Sequence, residues 1–144
     1  MKYTEKAQFE TADAFGIGAP NDAYAQYFVG QSFLKPLTEP GKAPVFLANV
    51  TFEPGCRNHW HVHTEGYQIL LVTGGEGLYQ EEGKPARLLH PGDVVVTDKG
   101  VKHWHGATKD AWFVHLAITS GASEFLEAVT DQEYSHAQET AKAD

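Results

Sequence analysis

A chain of 144 residues, 42% hydrophobic and 21% charged, carries enough apolar material for one packed core and is too apolar to be disordered. Its formal charge of -8 sets it against phosphate backbones and anionic bilayers, so neither nucleic acid nor membrane is an expected partner. The single cysteine, Cys56, rules out an internal disulfide, the opening MKYTEKAQFE lacks the apolar stretch of a signal peptide, and no run reaches membrane-spanning length, so a cytoplasmic protein is expected.

Residues 1–44 hold one early strand candidate, YFVGQSFL, followed by the loop TEPGKAP. From about residue 45 to 119 short strands alternate with turn residues. VFLANVTF is rich in β-branched and aromatic residues and is broken by EPG at 53–55. The segment NHWHVHTEGYQ follows, and then the apolar strand YQILLVT, ending at Gly74-Gly75. LYQEEGKPARLL reads as a hairpin turning at Gly83-Lys84-Pro85. The turn HPGD leads to the strand VVVT, the turn DKG to VKHWHGA, and the turn TKD to the last strand, AWFVHLAIT. Regular short strands between glycine and proline turns predict an all-β sandwich or barrel. The tail from Ser123 is helical in character, and TDQE at 130–133 has the form of a capping box opening a final helix. There are no repeats and no low-complexity linker, so residues 1–144 are expected to form one domain with its barrel core at about 45–119.

Alternate residues of a strand share a face. His61 and His63 therefore point one way together, with His59 at the same parity, and so do His103 and His105. His115 lies in the last strand. Histidine is scarce and costly to bury without partners, and neutral imidazoles gathered on one face suit a first-row divalent metal. His90, in a turn, and His136, in the tail helix, read as ordinary surface residues, and His59 as a rim residue. Trp60 and Trp104 alternate with the histidines and should face away from them. They read as inter-sheet or inter-subunit packing, and large aromatics on the outside of a small barrel suggest a homo-oligomer, a homodimer or homotetramer.

The glycine punctuation adds a resemblance. Gly55, His61, His63, Gln68 and Gly75 are separated by five, one, four and six residues, which resembles the first cupin motif, with glutamine where many cupins carry glutamate. Gly92, Asp98, Gly100, His103 and Ala107 are separated by five, one, two and three residues, which resembles the second motif, with aspartate for its proline and alanine for its asparagine. The resemblance implies a double-stranded β-helix, the jelly-roll barrel of cupins, here with a short C-terminal helix and a metal inside. The stretches WHVH, QILLVT, YQEEGKPARLLHPGDVV, VKHWHGA, HLAI and VTDQEY are also similar to small bacterial cupins related to carboxymuconolactone decarboxylase partners and to the manganese-dependent hydroxynitrile lyases of cupin type.

Carried over by motif, the resemblance implies His61, His63, Gln68 and His103 as metal ligands, and His105 and His115 as non-ligand catalytic histidines. Some of those lyases carry a glutamine shortly after HLAI, where this chain has Thr119. Such a ligand set cancels none of a divalent ion's charge and leaves two positions of an octahedral ion open, which favours catalysis. The resemblance points to manganese; iron, cobalt, nickel and zinc suit the same donors. His105 lies about 6 to 7 Å along the strand from His103, close enough for acid–base work or for orienting His103. The expected function is a metal-dependent enzyme acting on a small oxygenated molecule, hydroxynitrile lyase-like, with an iron-dependent dioxygenase and a non-catalytic metal- or small-molecule-binding cupin as alternatives.

Overall fold

In the computed structural model, which describes residues 2–143, thirteen strands form two antiparallel sheets. In chain order the elements are α1 (Lys6–Ala12), β1 (Ala19–Pro20), a 3-10 turn (Asp22–Tyr27), β2 (Phe28–Val29), β3 (Ser32–Pro36), β4 (Phe46–Phe52), β5 (Arg57–Asn58), β6 (His61–His63), β7 (Gln68–Gly75), β8 (Gly77–Glu81), β9 (Arg87–Leu89), β10 (Val94–Thr97), β11 (His103–Ala107), β12 (Phe113–Thr119), β13 (Ser123–Phe125) and α2 (Asp131–Thr140). The first sheet has the order β1-β3-β4-β12-β7-β10, and the second runs β13-β6-β11-β5-β2, with β8 on β11 and β9 on β8. This is the all-β jelly-roll architecture expected from the sequence.

Strand period explains the core. Ala48, Val50 and Phe52 of β4, Leu70 and Val72 of β7, Val95 of β10 and Ala117 of β12 face inward and meet Tyr79, Leu89 and Ala107 from the opposite sheet. The alternate residues face out. On that outer face α1 and its approach cover one half: Phe9 stacks on Trp112 with ring centroids 5.7 Å apart, and the Asp13 carboxylate accepts from Asn49 Nδ2 (3.0 Å) and Thr51 Oγ1 (3.2 Å). The other half stays open. There Val94 pairs with Leu71 and Val96 with Ile69, and Leu116 and Ile118 continue both rows across β12. Val94 and Val96 are 54% and 56% exposed.

Three local readings change. The expected strand YFVGQSFL is two strands, β2 and β3, because Gly30 turns the chain at φ +89° and lies so close to Cys56 that a Cβ would sit 3.0 Å from its Cα. The histidine segment is likewise two strands, β5 and β6, with His59 and Trp60 between them. The tail from Ser123 begins as a strand, since β13 pairs with β6 through Ser123↔His63 and Phe125↔His61, and helix starts only at Asp131. The predicted capping box is present: Thr130 Oγ1 accepts from the Glu133 amide, and Glu133 Oε1 from the Thr130 amide.

The C-terminal helix also reassigns the tryptophans. Trp60 and Trp104 do face away from the histidines, but they pack inside their own chain against Val129, Tyr134 and Ala137. Buried Arg57 anchors that segment. It donates to Val129 O (2.9 Å) and Asp131 Oδ1 (2.8 Å) and lies 4.5 Å from the Tyr134 ring centroid.

Candidate metal centre

Four strands deliver the site. β6 brings His61 and His63, β7 begins with Gln68, β11 brings His103 and His105, and β12 brings His115. Register does the gathering: His103 pairs with His61, and Gln68 pairs with Thr119 on one side and Thr97 on the other. The imidazole centroids of His61 and His103 are 4.1 Å apart, and those of His63 lie 5.3 and 5.2 Å from them. His105 is 5.6 Å from His61 and 4.8 Å from His115. All five are buried.

Ring orientation separates these residues. His61 Nδ1 faces the carbonyl of His59 at 2.8 Å, His103 Nδ1 that of Val101 at 3.0 Å, and His63 Nδ1 the hydroxyl of Ser123 at 3.0 Å. With Nδ1–H donated to those acceptors, each ring presents the lone pair of Nε2 inward. His103 Nε2 is buried and has no hydrogen-bond partner among the described residues. His63 Nε2 lies 3.3 Å from Gln68 Oε1, so two lone-pair donors converge. Neighbouring ligands held ~2.1 Å from one ion are separated by about 3 Å, so these residues fit a divalent metal.

The candidate ligand nitrogens of His61, His103 and His105 also lie within 4.8 Å of one another. His105 is nevertheless occupied. Its Nδ1 is 3.2 Å from His115 Nε2, Asn58 Nδ2 lies 3.2 Å from its Nε2, and its backbone amide donates to Asn58 Oδ1 at 2.9 Å. Phe52 packs edge-on against the same ring.

Burial fixes the charge state of the cluster. It pushes the imidazole pKa of His103 down to about 4 and that of His115 to about 3, and it lowers His61, His63 and His105 as well. At neutral pH all five rings are uncharged, as ligands must be. His61, His63, His105 and His115 border a cavity of about 380 Å³ whose remaining wall is largely apolar, with Phe28, Leu34, Phe46, Val50 and Phe125.

The other candidates take other places. His59 Nδ1 faces Leu126 O at 3.3 Å and Tyr27 lies edge-on to its ring, His90 is 43% exposed beside Glu76, and His136 is on the outer side of α2. Cys56 is fully buried, and burial pushes its thiol pKa up, so it is not a nucleophile. Asn58 and Ser123 did not stand out in the sequence. Their histidine partners lie 47 and 60 residues away in the chain, and no local period marks such pairs.

Residues 48–119 match the cupin domain family. The chain is 44% identical over 124 residues to an (R)-mandelonitrile lyase of Granulicella tundricola, spanning 83% of this chain and 94% of that one. A solved cupin-like protein from Thermotoga maritima superposes with a TM-score of 0.82 at 44% identity, over 88% of this chain and 98% of the other. A cupin 2 conserved barrel protein from Rhodopseudomonas palustris shares the fold at 15% identity, with a TM-score of 0.63 over 80% and 78% of the two chains. Two motifs of matching spacing, a jelly roll that gathers their histidines, and close relatives over most of its length place this chain in the cupin family.

Proposed function

We propose that this cupin is a metal-dependent lyase that cleaves a small 2-hydroxy nitrile, with a divalent ion, manganese by expectation, held by His61, His63, Gln68 and His103. The observation that carries the reading is the neutral His105–His115 pair, bonded at 3.2 Å and set beside the convergent lone pairs in an apolar cavity. The 44% identical relative named as a mandelonitrile lyase supports it. A divalent ion in this donor set would keep its full charge and so draw a substrate oxygen and stabilise negative charge developing there.

The chain's own residues do the rest. Phe28, Leu34, Phe46 and Phe125 receive an apolar or aryl substituent and exclude water. Neutral His105 takes the proton of the substrate hydroxyl on Nε2, in place of its contact with the Asn58 amide, while His115 holds Nδ1 and Asn58 Oδ1 holds the backbone amide. The bond to the nitrile carbon breaks with its electron pair, a carbonyl forms, and the leaving cyanide collects the proton from the histidine pair and departs as hydrogen cyanide. The test is metal content together with turnover of mandelonitrile. His61→Ala, His63→Ala and His103→Ala should each lose most of the metal, whereas His90→Ala and His136→Ala keep it. Full occupancy in the first three would refute the ligand set. Oxygen consumption by the iron-loaded protein, without cyanohydrin cleavage, would favour a dioxygenase.

For assembly we propose a homodimer through the open outer face of the first sheet. Leu47, Ile69, Leu71, Val94, Val96, Leu116 and Ile118 form two uncharged rows across four strands. At strand spacing the field measures about 20 by 10 Å, which suits the apolar centre of an interface of about 800 Å² per partner.

A further inference from the structure

Gln68 differs from the histidines in one respect: its side chain has two ends of nearly equal shape, and only the oxygen is a ligand. A free amide turns either way at little cost, and the wrong way presents N–H groups to the cluster. Whatever holds the nitrogen end outward therefore decides whether the oxygen is available.

In this structure that partner is Thr119. Gln68 Nε2 donates to Thr119 Oγ1 at 3.1 Å, while Gln68 Oε1 lies 3.3 Å from His63 Nε2. The contact is built into the sheet, because Thr119 is the register partner of Gln68 at the end of β12. Four residues on, Ser123 accepts from Nδ1 of His63. Between them the Ser120 amide donates to Tyr67 O at 3.0 Å, and its carbonyl packs so closely on Gly66 that a Cβ there would fall 1.9 Å from the oxygen. Two adjacent donors of the cluster are thus oriented by two hydroxyls of one short segment.

We propose that Thr119 is a positioning residue that holds the Gln68 amide oxygen inward, so that metal affinity depends on its hydroxyl. The inference rests on the reading of Gln68 as a ligand. Removing an outer partner of a metal ligand typically lowers affinity about 10- to 100-fold. The methyl of Thr119 plays no part in this role. Glutamate at position 68 would remove the dependence, because its two oxygens are equivalent.

The experiment titrates metal-free protein with manganese(II) and reads the free ion by electron paramagnetic resonance, alongside thermal melts. Thr119→Val should weaken manganese binding roughly 10- to 100-fold, and Thr119→Ser should stay within about threefold of the parent. In a Gln68→Glu background, Thr119→Val should change affinity by less than about threefold. An equal loss in both backgrounds, or failure of serine to restore binding, would overturn the proposal, since either outcome makes Thr119 a general packing residue. If Thr119→Val does not fold, the serine arm and a Thr119→Asn variant, which keeps an amide acceptor, decide in the same way. Gln68→Ala separates the two levels. Unchanged affinity there refutes Gln68 as a ligand and the proposal with it, whereas weakened affinity with an inert Thr119→Val refutes the proposal alone.

Discussion

Acid should destabilise the metal-free protein well above the usual carboxylate range. His103 and His115 are uncharged in the fold, with pKa values pushed down to about 4 and 3 by burial, against 6.5 when exposed. The unfolded chain therefore binds more protons below pH 6.5. Stability is complete above about pH 7 and falls as pH drops from 6.5 toward the folded values. At pH 5 the two rings remain neutral in the fold, so the cost is set by the unfolded state alone: 1.5 units at about 1.36 kcal/mol each, or roughly 2 kcal/mol per histidine. His103 and His115 together remove about 4 kcal/mol, and His61 and His105, whose pKa values burial also lowers, add to the loss. A domain of this size is worth about 5–15 kcal/mol, so the metal-free protein should have lost a large share of its stability at pH 5. The assay is urea unfolding after exhaustive chelation, at pH 7.5, 6.0 and 5.0. With a slope of about 2 kcal/mol per molar, the midpoint should fall by at least about 2 M between the first and last conditions. Manganese at one hundred times its dissociation constant should return about 2.7 kcal/mol at pH 7.5. A midpoint that moves by less than about 0.5 M would show that these rings are not held neutral and that the dry, lone-pair-lined cluster is wrong.

Gln68→Glu should bind the metal as tightly as the parent or more so, but the added negative charge should weaken azide and cyanide binding and slow cyanohydrin cleavage; unchanged anion affinity at full occupancy would refute charge tuning. His105→Ala should keep the metal and lose at least about 100-fold in turnover, and loss of metal as well would make it a ligand. Val94→Lys combined with Val96→Lys should convert a dimer to a monomer in sedimentation without changing the melting temperature by more than a few degrees, whereas an unaltered sedimentation coefficient would rule out that face. Gly75→Ala should abolish folding, because φ is +77° and the added Cβ would sit 1.8 Å from Trp112 O, while Gly83→Ala, at φ +80° in open space, should cost only about 1 kcal/mol by denaturant melts.

The parts of the site that follow strand period were legible in advance. His61 with His63 and His103 with His105 alternate within β6 and β11, and parity alone put each pair on one face and sent Trp60 and Trp104 to the other. The capping box of α2 is local chemistry and was equally readable. What escaped were contacts that depend on register between distant segments. Asn58 meets His105 only because β5 pairs with β11, and Ser123 meets His63 only because the chain returns as β13 beside β6. The tail reads as helical because Glu124, Leu126, Glu127 and Ala128 are good helix formers, yet pairing with β6 overrides that weak preference. Parity puts the tryptophans on the outer face, but no pattern in the sequence says that α2 folds back over them.

That last contact bears on how the protein is made. Every proposed ligand lies between His61 and His103, yet the strand that steadies His63 begins at Ser123 and the lid over Trp104 ends at Thr140. Arg57, which sits immediately before Asn58, finds its acceptors only at Val129 and Asp131. During synthesis the ribosome therefore releases all the proposed ligands before it releases the segment that packs around them. Until α2 has emerged, Trp60, Leu78 and Trp104 lack the partners that bury them in the finished fold. A nascent chain halted near residue 120 should therefore carry the proposed ligands without a finished site.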